Sequence, residues 1–536
     1  MANPLLAPRD TPFALPPFDA IAEDDFAPAF ETALAEAEAE IAAIAADPAA
    51  PDFANTIEAL ERAGRRLNDV ASVFFTLASV DSTPEREALQ RRIAPKLAAH
   101  GAAIRLNPDL FARIDTLWQA RDTLGLTDEQ ARVLELTHRD FRRAGAALEP
   151  ASRHRLKAIG TRLAELSTAF GQNVLADERG WAMPLTEDDL AELPADLAAA
   201  CRAAGAARET GPVVTLSRSL IVPFLQSAPQ RALRETAWRA WTARGANGGA
   251  SDNRAIAAEM LALRHERARL LAAESFAHHR LEVEMAKTPD AVRALLHAVW
   301  TPAKSAAEAD AAALEARLVA DGHAPPLEPW DWRYYAEKRR AEEHAVDDGA
   351  LKPYLALDSM VAAAFDVAHR LFGLSFAPLD VPLHHPDARA WEVTRDGRHM
   401  GVFIADHFAR PGKRSGAWCS ALRSQQRRDG EVRPHVLNVC NFARPPEGAP
   451  ALLSWDDART LFHEFGHALH QLLSDVTYES ISGTSVARDF VELPSQLYEH
   501  WLTVPEVLSA HARHVETGAP MPDDLRQRVL AAATHD

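Results

Sequence analysis

Cysteine is scarce: Cys201, Cys419 and Cys440 are the only three in 536 residues. An odd count at scattered spacings, with no CxxC pair, excludes a disulfide framework and a cysteine-held metal or redox centre, and reads as reduced, mostly packed thiols. Positive charge is also in deficit. With 58 Lys and Arg against 76 Asp and Glu the net charge is -18, and no basic stripe interrupts it, so a phosphate backbone would be repelled and nucleic acid is not an expected partner. No apolar run reaches membrane-spanning length. The N-terminus, MANPLLAPRDTPFALPPFD, lacks a basic stretch followed by an apolar one, so neither a membrane nor an export route is expected and the cytoplasm is the default compartment.

What remains is the composition of a globular protein, 47% hydrophobic and 25% charged, long enough for more than one folding unit. Ala, Leu, Glu and Arg at helical spacing dominate the first half. Phe30 to Ala46 and Ile57 to Ala78 read as amphipathic helices, the second opened by Asn55 and Glu58 as a capping box. Glu85 to Ile104, Ala151 to Leu175, Asn253 to Ala273, Pro289 to Ala320 and Asp358 to Leu371 are further helix candidates, separated by Pro, Gly and Asp clusters. After Val381 the pattern changes: Trp391 to Thr394, a turn at Asp396-Gly397 and Met400 to Ile404 predict a β-hairpin, with Val436 to Phe442 as another strand. The expected fold is mainly α with a small sheet. Met183 to Gly211, rich in Pro, Gly and Ala, reads as a connection, giving residues 1–182 as an N-terminal helical region, 183–225 as a connection and 226–536 as the part that carries the chemistry.

That chemistry begins at Ser454. In SWDDARTLFHEFGHALHQLL, Ser454 and Asp457 form a capping box and no breaker but Gly466 follows, which places the segment on one helix. His463 and His467, four apart, then share a face and can hold one Zn²⁺, while Glu464 sits beside the metal as general base for its water. With 22 histidines in the chain, H-E-x-x-H arises by chance about 0.06 times, so context matters. Leu461, Phe462, Phe465, Ala468 and Leu469 supply it by wrapping the site in apolar side chains. A catalytic zinc needs a third protein ligand, and Glu492 in RDFVELPSQLYEHW is the choice. His470 shares the face of His463, but seven residues along a helix is about 10.5 Å, too far to close on the same ion. It reads as a satisfied polar or surface histidine.

Ligating imidazoles usually donate their other N–H to an acceptor, for which Asp457, Asp489 and Glu499 are candidates. Glu499, two turns after Glu492 and on its face, is preferred, an ordinary surface carboxylate being the alternative. The adjacent pairs His278-His279 and His384-His385 do not converge on one ion, and the aromatic run Trp330 to Tyr335 reads as packing rather than a base-stacking platform.

These residues resemble the thimet oligopeptidase and neurolysin family of zinc peptidases, whose signature is similar to LFHEFGHALH followed by a distant glutamate. Glu492 stands 29 positions after His463, within a matching VELPSQ segment. SGTSVARDFVELPSQLYEHW, PWDWRYYAE, LKPYLAL, HPDARAWEV, SGAW and NVCNFARP resemble the bacterial peptidyl-dipeptidase branch, and the likeness extends to NPLL, PPFD and TIEAL near the N-terminus. The resemblance implies a helical ellipsoid split by a deep channel with zinc on its floor, one Zn²⁺ per chain, and 226–536 as a metallopeptidase domain. It implies short peptides as substrates, with C-terminal dipeptides released. Gly483 in the SGTS loop and Gly416 in SGAW are the expected substrate-backbone contacts. An endo-acting oligopeptidase, or a catalytically impaired fragment that binds zinc and peptide, are the alternatives. The family's chain continues by roughly a fifth of its length into a region with tyrosine and histidine groups for substrate and oxyanion. The expectation is therefore a C-terminally incomplete chain, ending in a helix from Pro522 to Asp536.

Overall fold

The computed structural model describes residues 3–344, 348–410, 412–445 and 448–532. They fall into two compact units, one of residues 1–148 with 347–525, the other of residues 149–346 with 526–536. Helices predominate, and among the described residues none is long and apolar enough to cross a membrane.

The first unit carries the candidate site. It contains helices α1 (Glu23–Ala45), α2 (Arg65–Val80), α3 (Leu357–Phe372), α4 (Trp455–Leu472) and α5 (Glu492–Glu499). Its sheet comprises β1 (Leu374–Leu379), β2 (Arg389–Arg395), β3 (Arg398–Phe408), β4 (Trp418–Arg423) and β5 (His435–Phe442), in the order β1-β2-β3-β5-β4. Only β3 and β5 run parallel. As a central pair covered on both faces they are buried almost throughout, and read as runs of apolar residues rather than as an alternation. The hairpin β2-β3 turns at Asp396 (φ 52°) and Gly397 (φ 74°). Two positive φ values in a two-residue loop suit the right-handed twist of the strands.

One face of the sheet buries Ala390, Val402, Ile404, Leu437 and Val439 with Leu15 and Val80 from the start of the chain. The N-terminal helices are tied on by backbone: Ser82 N–H donates to Gly412 O at 2.7 Å and Arg414 N–H to Ser79 O at 2.8 Å. Within that layer α1 and α2 lock through Phe26 and Phe30, edge-on to Phe74 at 5.1 and 5.3 Å. The other face receives α3 and α4. Phe365 of α3 stacks on Phe376 at 4.0 Å and lies 5.5 Å from Phe465 of α4. Phe465 in turn meets Phe403 at 5.2 Å and Tyr498 of α5 at 5.6 Å. This aromatic knot joins the sheet to both helices that carry the candidate ligands.

The second unit contains the long helix Pro289–Ala320, expected with these bounds, and Pro329–His344. Its aromatic run is packing: Trp330 lies under Arg239 at 4.7 Å and Tyr334 under the buried Arg234 at 4.1 Å, with Asp331 held by Arg231 and Arg234.

Two expectations need correction. The helix expected over Ile57 to Ala78 is broken, because Gly64 takes a left-handed φ of 73° and α2 starts after it. The capping box there is Asp52 with Asn55, each side chain accepting the other's backbone N–H, not Asn55 with Glu58. The segment read as a connection, 183–225, is itself folded: strands Ala182–Pro184 and Val213–Thr215 pair antiparallel, and helices Ala195–Ala206 and Arg218–Ser227 bury Cys201, Ile221 and Phe224. Its Pro and Gly residues punctuate short elements instead of extending the chain. The terminal helix runs Asp523–Ala532, and residues 533–536 of that expectation lie outside the described residues.

Candidate metal centre

Helix α4 begins where its capping box places it: Ser454 Oγ accepts from Asp457 N–H at 3.0 Å, and Asp457 Oδ2 accepts from Ser454 N–H at 3.1 Å. Asp457 is thereby committed to the helix start. The apolar side of α4, Leu461, Phe462, Phe465, Ala468 and Leu472, is buried, which leaves His463 and His467 together on the more open side. Their rings are 5.0 Å apart at 83°.

Helix α5 crosses α4 at Gly466. A Cβ there would lie 2.6 Å from Ser495 Cα and 2.8 Å from Pro494 O, so the helices reach this separation only because residue 466 has no side chain. The crossing brings the half-exposed carboxylate of Glu492 over the histidines. Its Oε2 is 3.2 Å from His463 Nε2 and 3.1 Å from His467 Nε2. Among the described residues this is the one group of three such side chains whose donor atoms all lie within 4.8 Å of one another.

Glu499, two turns further along α5, accepts at Oε1 from His463 Nδ1 at 2.6 Å. A proton held on Nδ1 leaves the Nε2 lone pair of His463 facing a carboxylate oxygen. Two acceptors at 3.2 Å repel each other unless a cation or a proton lies between them. The donor set suits a metal: two imidazoles and one carboxylate make up a known catalytic zinc site. The spacing suits one too, because neighbouring donors about 2.0 to 2.1 Å from a tetrahedral ion are about 3.3 to 3.4 Å apart.

Glu464 faces the other way from the solvent. It is only 6% exposed, and its Oε2 finds no hydrogen-bond partner among the described residues. Burial pushes its carboxyl up to about 7, with His463 pulling it down and Glu492 adding to the rise. Burial also lowers His467, which favours the neutral imidazole that a metal requires.

The remaining expected positions are placed as follows. Gly483 (φ 54°) packs on Gln471 and donates its N–H to Ser474 Oγ at 3.0 Å, so that amide is engaged within the protein. It lines an apolar groove of about 820 Å³ with Leu469, Val486, Leu493 and Leu497. His470 lines the same groove. It is half-buried and its buried Nδ1 has no hydrogen-bond partner among the described residues, which corrects the expectation of a satisfied or surface histidine. Gly416 (φ 92°) is exposed and its carbonyl accepts from Asn441 Nδ2 at 2.6 Å. His384 is buried against Asp406 at 2.8 Å, and the backbone N–H of His278 donates to the capping hydroxyl of Ser275. The sequence reading passed over Ser495, whose Oγ donates to Glu492 Oε2 at 3.0 Å. An E-x-x-S spacing at the head of a helix was the available signal, since residues three apart share a face.

Residues 224–535 match the family described as Peptidase family M3. Over 99% of this chain and 79% of the relative, the sequence is 39% identical to a dipeptidyl carboxypeptidase of Escherichia coli (strain K12). It is 35% identical to an oligopeptidase A of Salmonella typhimurium over its whole length and 80% of that relative. A probable cytosolic oligopeptidase A of Arabidopsis thaliana is 30% identical over 99% of this chain and 78% of its own.

Proposed function

Because the chain belongs to peptidase family M3 and is a metallopeptidase, we propose that it is a zinc-dependent peptidyl-dipeptidase of the cytoplasm, releasing dipeptides from the C-termini of short peptides. The observation that carries this reading is the convergence of His463, His467 and Glu492 beside a buried carboxyl, Glu464. The 39% identity to a protein named for dipeptide removal supports the specificity. Zn²⁺ would be held by His463 Nε2, His467 Nε2 and Glu492 Oε2, and when bound it supplies Lewis-acid polarisation of the scissile carbonyl and of a water.

The rest of the chemistry belongs to the chain. Glu499 holds His463 in the tautomer that presents Nε2. Glu464 takes a proton from the water as its oxygen adds to the peptide carbonyl carbon, then delivers it to the amine nitrogen as the C–N bond breaks. Burial of Glu464 keeps bulk water from competing for that proton. Beside a divalent cation its carboxyl would be held lower, in the ionised form that a base needs. Gly416 and Gly483 are proposed to border the peptide backbone, Gly483 through its carbonyl or Cα since its N–H is engaged. The charge of -18 opposes nucleic acid as a partner.

Product analysis on one peptide with a free and an amidated C-terminus tests the reading. Successive dipeptides from the free form alone are expected. Equal internal cleavage of both would favour the endo-acting oligopeptidase, to which the 35% identity with oligopeptidase A points. No zinc-dependent hydrolysis of either would overturn the peptidase reading.

A further inference from the structure

The head of α5 has an internal tie. Ser495 is fully buried, and its hydroxyl lies 2.9 Å from the backbone carbonyl of Glu492 and 3.0 Å from Glu492 Oε2. A hydroxyl has one proton, and the charged carboxylate oxygen is the stronger acceptor. The oxygen it reaches is the same one that lies 3.1 and 3.2 Å from the two imidazole nitrogens. A glutamate side chain otherwise turns about three bonds, and half of this one is exposed to solvent, so the Ser495 hydroxyl adds to the two imidazoles a third contact on that one oxygen, and the only one of the three that comes from its own helix turn. The serine is itself held still: it sits at the crossing of α4 and α5, its Cα 2.6 Å from where a Cβ on Gly466 would be.

We propose that Ser495 is a positioning residue for the third metal ligand, fixing Glu492 with Oε2 toward His463 and His467 before any ion arrives. It rests on the metal-site reading given above. Preorganisation of this kind removes the cost of ordering a long side chain at the moment of binding.

The test is a double-mutant cycle on zinc affinity, measured by competition with a chromogenic chelator, in wild type, Ser495→Ala, Glu492→Ala and the double variant. Loss of an outer contact to a ligand commonly weakens metal binding by about 10- to 100-fold, and that range is expected for Ser495→Ala. In the Glu492→Ala background the same change should have no further effect, because the hydroxyl acts only through that carboxylate. The melting temperature of the metal-free protein should be the same with serine or alanine. In cobalt-loaded protein, Ser495→Ala should alter the visible d–d bands. An unchanged zinc affinity, an equal loss in both backgrounds, or a loss that follows a lowered metal-free melting temperature would each overturn the proposal. A wild-type protein that holds no zinc would instead overturn the metal-site reading, and the proposal with it.

Discussion

Replacing Gly466 by alanine isolates the step on which the site's geometry depends. The added Cβ would stand 2.6 Å from Ser495 Cα, 2.8 Å from Pro494 O and 3.0 Å from Tyr498 Cβ. Two of these are backbone atoms and the third is the root of a buried tyrosine, whose hydroxyl donates to Ala364 O at 2.7 Å, so no flexible tip can give way. Restoring an ordinary contact of about 3.4 Å moves α5 by about 0.8 Å. Metal–ligand distances tolerate about 0.2 Å, so Glu492 would be displaced several times beyond tolerance while the histidines stay on α4. Overpacking costs about 1 to 3 kcal/mol, and alanine returns up to about 1 kcal/mol of helix propensity. The net loss of fold stability is therefore about 0 to 3 kcal/mol. Zinc affinity should fall by about tenfold or more. Chelator competition together with thermal melting of the metal-free protein measures both. An alanine variant that binds zinc within twofold of wild type would refute the claim that the close crossing sets the ligand spacing.

Metal analysis after mild purification should give one zinc per chain, and Glu492→Ala should lower that occupancy; full occupancy in the variant would point to a different third ligand. Glu499→Gln should weaken zinc binding by about 10- to 100-fold without abolishing it, because His463 loses its orienting acceptor but not its nitrogen. Acid should destabilise the fold from an unusually high pH. Burial drives His435 down to about 2 and His407 down to about 3, whereas both titrate near 6.5 when unfolded. Their contribution is complete above pH 6.5 and is lost as pH falls towards those folded values, at about 1.4 kcal/mol per pH unit for each. His435→Gln should flatten the slope of unfolding free energy between pH 6 and 4 by about that amount, and an unchanged slope would show that this imidazole charges in the folded state.

Local chemistry was legible in the sequence wherever it is settled by neighbours along the chain. The Ser454–Asp457 box, the four-residue spacing of His463 and His467 and the Asp396-Gly397 turn each act within a few residues, and each stands where it was read. The Gly64 break was missed because a glycine inside a helical pattern is compatible with both outcomes until its φ is known. Strands β1 and β4 were missed as edge strands, half-buried and lacking the apolar run of β3 and β5. The joining of residues 1–148 with 347–525 rests on contacts such as Ser82 with Gly412, which no window of sequence contains. The burial of Glu464 and the role of Gly466 are likewise products of helix α5 and the sheet closing on α4.

In the mechanism proposed above, Glu464 is the base beside a metal held by His463, His467 and Glu492. The most direct measurement is the turnover number of fully zinc-loaded Glu464→Gln on a free-carboxylate peptide. An amide cannot accept the water's proton, so a fall of about 10²- to 10⁴-fold at one zinc per chain is predicted. A zinc-loaded variant that keeps more than a few per cent of wild-type turnover would contradict it.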